Sequence, residues 1–366
     1  MKIVLAGGGT AGHVEPALAV ARELISRYPS CTLTFIGTND GLEKTLVPQA
    51  GFQLSCITKA PFPRRLSLSA FKWPFRYFNT VWQSFRLVRG ADAVIGFGGY
   101  VSAPVYMAAY LRRIPLFVHE ANAKPGLANL LGARIARACM VAYASTRFNY
   151  ESMRKAHIVG IPLRASIINL AHATKEVKAE RRSHVLKEWG FQNRETILVV
   201  GGSSGSASMN AVIVKALDQF LKKGLQVVHV VGSKNELPLS QPGYLPLRYI
   251  SNMADALVAC DWVIARSGAV TCVELAVMDK FALLVPLSIG NGEQFFNAEP
   301  LVANGQAITV ANQEFTDEWL IENLEHVQKM AQKGHFKHLD FPTNSAELIV
   351  NIVFENLQQR SPSEGV

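Results

Sequence analysis

A histidine set directly behind a glycine-rich turn is the first place in this sequence where chemistry is expected. Gly7-Gly8-Gly9-Thr10-Ala11-Gly12 follows the apolar run Ile3–Ala6, and His13 comes next. Glycines let backbone N–H groups approach a ligand closely, and a helix opening there adds the positive end of its dipole. A phosphate or pyrophosphate is therefore expected near Gly9 to Gly12. The same dipole lowers the pKa of His13 in the first helical turn and favours neutral imidazole, which accepts protons. A histidine that caps or packs the helix start fits this position equally well. The loop also satisfies G-x-G-x-x-G at Gly7, Gly9 and Gly12, the fingerprint of dinucleotide binding. A dinucleotide site, however, needs an acid closing the second strand. Here Leu33–Ile36 runs into Gly37-Thr38-Asn39 and reaches Asp40 late, which counts against an NAD- or FAD-dependent oxidoreductase.

Two further loops are suited to anions. One is Gly96-Phe97-Gly98-Gly99-Tyr100-Val101-Ser102; the other, Ser267-Gly268-Ala269-Val270-Thr271, leads into a helix carrying Glu274. Three such loops exceed the needs of one mononucleotide. Glu274 either complements the helix dipole or accepts two hydrogen bonds from a vicinal diol, as acids do for ribose. His119, behind another apolar strand, reads as a structural hydrogen-bonding histidine.

These residues must be carried by strands and crossover helices. Short apolar runs alternate with longer amphipathic ones: Ile3–Ala6, Leu33–Ile36, Ala93–Gly96, Leu116–His119, Ile197–Val200, Val227–Val231, Trp262–Ala265 and Phe281–Pro286. That rhythm predicts parallel sheets, an α/β fold. The glycine clusters at Gly7–Gly12 and Gly201-Gly202-Ser203-Ser204-Gly205 each look like the first turn of a doubly wound unit, so two such units are expected. A chain of 366 residues, 49% hydrophobic and 18% charged, has material for more than one core. Between the units, Lys175 to Arg182 reads as a solvated helix after a linker. Asn344-Ser345-Ala346-Glu347 has the form of a capping box opening a helix at Leu348–Leu357.

A net charge of +9 is compatible with an anionic partner, whether nucleic acid, a phosphorylated substrate or an acidic membrane surface, and its sign alone does not choose among them. Five scattered cysteines without a C-x-x-C pair predict neither a disulfide framework nor a metal held by sulfur, and fit a reducing compartment. The uncharged stretch Ala93–Leu111 is long enough for a membrane span, but its glycines and Pro104 point to strand, loop and helix instead. From Lys44 through Ala91 there is no acid, while Lys44, Lys59, Arg64, Arg65, Lys72, Arg76, Arg86 and Arg89 alternate with aromatic residues. Phe71, Phe75, Phe78, Trp82 and Phe85 follow helical spacing, and Trp73 lies among them. Such a stripe is either core with a solvated flank or a surface for anionic lipid. No nucleic-acid-binding motif accompanies it.

Seven ordered segments resemble the MurG family of N-acetylglucosaminyltransferases, glycosyltransferase family 28. They are Gly8–His13, Gly96–Ser102, His119-Glu120-Ala121-Asn122, Gly160-Ile161-Pro162-Leu163-Arg164, Gly201-Gly202-Ser203, Arg266-Ser267-Gly268-Ala269 through Glu274, and Gln294-Phe295-Phe296-Asn297-Ala298. The resemblance implies two Rossmann-like doubly wound domains facing a cleft, the GT-B arrangement. Residues 1–162, joined by a C-terminal helix at 344–360, would form the acceptor and membrane-facing domain, and 163–343 the donor domain. It implies inverting transfer of N-acetylglucosamine from UDP-N-acetylglucosamine to undecaprenyl-diphosphate-linked muramoyl-pentapeptide (lipid I), giving lipid II, with no cofactor and no metal. A related transferase acting on another lipid acceptor is the alternative.

Family roles then fall on particular residues. His13 is the base candidate, with Thr10, Ala11 and Gly12 approaching the donor sugar. Gly9, Gly98, Gly99, Tyr100 and Ser102 form the acceptor diphosphate loop. Asn122 matches a sugar contact, Arg164 and Ser203 diphosphate contacts, and Ile250 a backbone contact to uracil. Ala269, Val270, Thr271, Cys272, Val273 and Glu274 match the segment whose carboxylate holds the ribose, and Gln294 matches a sugar-reading glutamine. Arg64, Arg65, Phe71, Lys72, Trp73, Phe75 and Arg76 fall in the membrane-docking region. Implied partners are anionic inner-leaflet lipids and other cell-wall synthesis proteins, at the cytoplasmic face of the bacterial membrane. The chain departs from the family pattern at Ala121, Ile161, Ser204 and Glu293.

Overall fold

The computed structural model describes residues 1–60, 68–202, 204–288, 291–334, 336–337 and 339–359, without the side chains of 68–72. Arg64, Arg65 and Ser203 therefore lie outside the described residues, as do the side chains of Phe71 and Lys72. The chain divides into two compact units, Met1–Arg164 with Pro342–Val366, and Ala165–Phe341.

Among the described residues the first unit holds seven strands: β1 (Lys2–Ala6), β2 (Thr32–Gly37), β3 (Gln53–Cys56), β4 (Ala93–Gly96), β5 (Leu116–Glu120), β6 (Ala138–Val141) and β7 (His157–Ile158). Their spatial order is β3-β2-β1-β4-β5-β6-β7, with every pairing parallel. Alternation along β1 sends Ile3 and Leu5 to one face and Val4 and Ala6 to the other, so both faces must be covered. The first face packs on the helices Ala11–Arg27 and Ser345–Gln358. The second face packs on the helix Ser102–Leu111.

The second unit repeats the plan with β8 (Thr196–Val200), β9 (Gln226–Val230), β10 (Tyr244–Leu247), β11 (Trp262–Ala265), β12 (Phe281–Leu284) and β13 (Ala307–Thr309). Its order, β10-β9-β8-β11-β12-β13, is again wholly parallel. In both sheets the chain winds outward from the first strand and then restarts on its other side. The switch points lie between β1 and β4 and between β8 and β11, and crevices at the carboxyl ends of such strands bind ligands.

Two expectations need correction. A helix does begin at Ser345, but the Asn344 side chain makes no cap; the Ser345 hydroxyl instead donates to Pro342 O at 2.7 Å. Glu347 is drawn away to Arg27 at 2.9 Å, and Phe354 stacks on Tyr28 with ring centroids 3.8 Å apart. Nor is the charged run Lys175–Arg182 merely solvated. It opens the helix Lys175–Glu188, where Arg181 grips both carboxylate oxygens of Asp255, and Arg182 donates to Ala259 O and to Asp261.

Candidate active site

The site of the first unit forms where β1 and β4 release their loops side by side. Thr10 is the N-cap of the helix Ala11–Arg27, and the amides of His13 and Val14 fold back to its carbonyl. The amides of Ala11 and Gly12 are left without an intrahelical partner. His13, half-buried, has Nδ1 3.2 Å from Gly8 O and 3.3 Å from Thr10 Oγ1. A carbonyl only accepts, so Nδ1 carries the proton and Nε2 keeps its lone pair. Burial is the largest influence on the imidazole and lowers its pKa, against the Gly8 carbonyl and the Glu43 charge, which raise it. The neutral form expected from the helix dipole is thus favoured chiefly by burial.

Gly98 and Gly99 pass over this ring with φ of +94° and +84°. A Cβ at Gly98 would lie 3.3 Å from His13 Nε2, and one at Gly99 would lie 2.6 Å from Gly8 O. Only glycine permits this approach of the two loops. Tyr100 packs against Gly9, where a Cβ would lie 3.1 Å from the ring, and its hydroxyl is 3.2 Å from Thr38 Oγ1. Ser102 does not reach a ligand surface: it is fully buried, and its hydroxyl is shared between Ala6 O and Gly98 O. Its role is to tie the second loop to the end of β1.

Glu120 closes β5, fully enclosed by the protein, and accepts from the Asn122 amide and side chain, the Gly126 amide and the Asn129 side chain. Burial raises its pKa while these donors lower it. Asn122 is thereby fixed in its loop. His119 is sealed in the core, its Nε2 donating to Gly160 O at 2.9 Å, and burial brings its pKa down to about 4. That agrees with a structural role. Arg164 lies 3.9 Å from Glu15.

In the second unit, β8 ends at Gly201-Gly202. A Cβ at Gly201 would meet the Ser206 amide at 2.6 Å, at the start of the helix Ala207–Lys222. Next to it, β11 ends at Arg266, whose guanidinium donates to Val285 O, Ser206 Oγ and Ser208 Oγ at 2.8–3.2 Å. Arg266 is buried and, among the described residues, has no carboxylate partner; burial lowers its pKa. Composition gave no sign of this, because a buried charge beside a glycine loop is recognisable only once its neighbours are known.

The helix Ala269–Val277 follows Gly268, and Cys272 is the first residue to bond back to it. The amides of Ala269, Val270 and Thr271 precede that bond and point out of the helix start. Cys272 and Val273 are fully buried, turned inward by the helical period, so their side chains contribute packing alone. Glu274 is 5% exposed and shares a small cavity with Thr271, Met253 and Leu257. Ile250 is buried in the loop before the helix Met253–Ala259. The side-chain oxygen of Gln294 accepts from the Leu287 amide at 2.9 Å. Among the described residues, no group of three or more His, Cys, Asp or Glu is arranged to hold a metal ion.

The basic, aromatic stretch forms the helix Leu68–Leu87. Phe75, Phe78, Trp82 and Phe85 follow one side of this helix, with Trp82 stacked on Phe85 at 5.9 Å between centroids, while Trp73 and Tyr77 lie off it. Phe75, Phe78 and Trp82 are 80%, 72% and 54% exposed, whereas Trp73 stacks on Tyr77, and Phe85 lies under the Arg112 guanidinium, 3.7 Å from ring centroid to charge. Arg76 is exposed beside Phe75. Met107, Tyr110 and Leu111, on the packed helix Ser102–Leu111, are exposed as well. No helix among the described residues is long and apolar enough to cross a membrane.

Two family models match the chain: the glycosyltransferase family 28 N-terminal domain over residues 3–141 and the C-terminal domain over residues 196–349. The chain is 43% identical to the UDP-N-acetylglucosamine–N-acetylmuramyl-(pentapeptide) pyrophosphoryl-undecaprenol N-acetylglucosamine transferase of Corynebacterium glutamicum, over 88% of each chain. It is 41% identical to the protein of the same name from Streptomyces coelicolor, again over 88% of each. Among solved structures it is similar to Acinetobacter baumannii MurG, with a TM-score of 0.71 and 26% identity over 97% of this chain and 99% of that one. An S. aureus MnaA–UDP structure, at 12% identity and a TM-score of 0.71 over the whole of both chains, shares the fold.

Proposed function

The chain belongs to glycosyltransferase family 28, and from that membership we propose that it moves N-acetylglucosamine from UDP-N-acetylglucosamine to the 4-hydroxyl of lipid I, with inversion, to give lipid II. One observation carries the chemistry. His13 offers an unprotonated Nε2 beside a glycine loop at the switch point of the first sheet, its tautomer set by Gly8 O.

A sugar hydroxyl has too high a pKa to attack unaided, so Nε2 takes its proton as the oxygen bonds to the anomeric carbon. UDP departs from the opposite face, and attack from behind the leaving group produces a β linkage. The diphosphate charge that grows on departure is met by the amides of Ala269, Val270 and Thr271 and by the Gly201–Gly202 turn with Ser203. Arg266 supplies the positive charge behind that turn, and Arg164 a second one. Glu274 accepts from the ribose diol, the Ile250 backbone reads uracil, and Gln294 and Asn122 read the sugar, with Thr10, Ala11 and Gly12 close to the transferred group. Gly9, Gly98, Gly99 and Tyr100 receive the acceptor diphosphate, with Ser102 as their internal support. The first unit is the acceptor domain and the second the donor domain.

The exposed Phe75, Phe78 and Trp82, flanked by Arg76 and by a stretch devoid of acids, support peripheral docking on anionic lipid at the cytoplasmic face of the cell membrane. The deciding experiment incubates the protein with lipid I and radiolabelled UDP-N-acetylglucosamine and follows label into the organic phase. Label transferred to lipid I, and lost in His13→Ala with UDP affinity kept, is the expected result. Transfer to diacylglycerol but not to lipid I would replace the acceptor, and NADH binding without UDP binding would replace the reading altogether.

A further inference from the structure

The most unusual buried group outside the roles assigned above is Glu43. It opens the helix Glu43–Gln49, far along the chain from the catalytic loop, yet its carboxylate is fully buried beneath that loop. Oε1 accepts from the Thr38 amide and the Thr38 hydroxyl, both at 2.9 Å, and Oε2 accepts from the Gly9 amide at 2.8 Å. The space it fills has been kept clear by the absence of side chains. A Cβ at Gly8 would lie 2.6 Å from Oε1, and a Cβ at Gly37 or Gly41 would also collide with this side chain.

The Gly9 N–H and the Gly8 C=O belong to one peptide unit. Its N–H donates to Glu43, and its C=O receives the proton of His13 Nδ1. Charge-assisted hydrogen bonds are the stronger kind, and hydrogen bonds in a chain polarise one another. A carboxylate on the N–H side pushes electron density toward the carbonyl oxygen, which then holds the imidazole N–H more firmly. We propose that Glu43 is a positioning residue for His13, acting through the Gly8–Gly9 peptide. The arrangement does the work of the carboxylate in a Ser-His-Asp triad, fixing the tautomer and stabilising the imidazolium, with a peptide placed between the two groups. The Glu43 charge acts on the His13 titration in the same direction.

This inference rests on His13 being the base, and its test is chosen to stand apart from that reading. Among the described residues, the other charged or titratable groups near His13 include Tyr100 and Lys59 over the loop, Glu120 behind Asn129, Glu15 on its own helix, and Arg164 beside Glu15. Glu43→Gln removes the charge at nearly constant size, and Glu43→Asp retracts it by one methylene. The imidazole of His13, in protein carrying 15N-labelled histidine and assigned with His13→Gln, is titrated by NMR in each variant, and kcat is measured against pH.

In Glu43→Gln the His13 titration and the acid limb of kcat move together to lower pH, and the Nδ1–H signature weakens. The kcat plateau falls about tenfold, a fraction of the 10²–10⁴ typical of a general base, and KM for UDP-N-acetylglucosamine stays within about twofold because the donor loops are untouched. Glu43→Asp falls between wild type and Gln. A Gln variant folded by circular dichroism whose His13 titration and tautomer are unchanged overturns the proposal; should Gln prevent folding, the same result in Asp does so. Full turnover in His13→Ala would remove the base assignment alone, because the titration reads the link between Glu43 and His13 whatever the turnover.

Discussion

Gly99→Ala offers a quantitative test of how the two glycine loops meet. Gly99 has φ of +84°, a region that costs an L-residue about 1–3 kcal/mol. The added methyl would lie 2.6 Å from Gly8 O, a backbone atom that no rotamer change can move aside. An ordinary C···O approach is about 3.3 Å, so the two loops must part by about 0.7 Å. Gly8 O holds His13 Nδ1, and the imidazole moves with it. A misplacement of about 1 Å can cost a hundredfold in rate, so kcat is expected to fall about twentyfold. Gly90→Ala is the control. Its φ is +71°, and nothing lies within 4 Å of the added methyl, so it carries the backbone cost without the collision. Transfer to lipid I, UDP affinity by calorimetry and thermal melting are measured on both. Each variant loses stability and keeps UDP affinity, while only Gly99→Ala loses turnover. Equal turnover in the two variants would refute the reasoning.

The buried histidines make the protein acid-sensitive. His119 and His229, one in each unit, sit near pKa 4 through burial, against about 6.5 when unfolded, so the unfolded chain binds more protons as pH falls. Their stabilising contribution is full above pH 6.5 and is lost progressively down to pH 4; each unit loses about 2 kcal/mol between pH 7 and 5, and a urea midpoint unchanged over that range would contradict this. Arg266→Gln keeps a donor for Ser206 and Ser208 but not the charge; UDP affinity should fall about tenfold and uridine affinity hold, and equal loss of both would deny the diphosphate contact. Glu274→Ala should weaken UDP about 10- to 100-fold, with unchanged affinity in titration calorimetry as the contrary result. Phe75, Phe78 and Trp82 changed together to Ser should weaken binding to anionic vesicles at least about tenfold. Arg64, Arg65, Lys72 and Arg76 changed to Glu should do the same in a salt-dependent way, and undiminished vesicle binding in both would remove the membrane assignment.

How much of this was legible beforehand depended on whether the signal was local. The strands β1, β2, β4, β5, β8, β9, β11 and β12 are interior and covered on both faces, so each appears as a continuous apolar run. The edge strands β3, β7, β10 and β13 have one neighbour each and need no such run; β7 is exposed throughout. β6 is interior but reads Ala-Cys-Met-Val, without the β-branched density that separates a strand from the alanine-rich chain around it. His13 and its loop were visible because the glycines and the histidine are adjacent. Glu43 was not, since its partners Gly9 and Thr38 come from two other strand ends and nothing in Gly41-Leu42-Glu43 says that the carboxylate turns inward. Ser102, Cys272 and Val273 turn their side chains inward, which adjacency in sequence does not reveal because it depends on what each helix packs against.

The pairing of Tyr28 with Phe354, and of Arg27 with Glu347, has a consequence during synthesis. The first unit leaves the ribosome early, but the helix Ser345–Gln358 that covers one side of it follows only after the whole second unit, roughly 180 residues later. At ~5–20 residues per second, that is a wait of roughly 10 to 40 s. Throughout it, the apolar flank of the helix Ala11–Arg27 stays uncovered on the nascent chain. Newly made protein will therefore depend on chaperone shelter until its own second half has been translated, and a message cut short before residue 345 will release a first unit that is sticky rather than merely inactive.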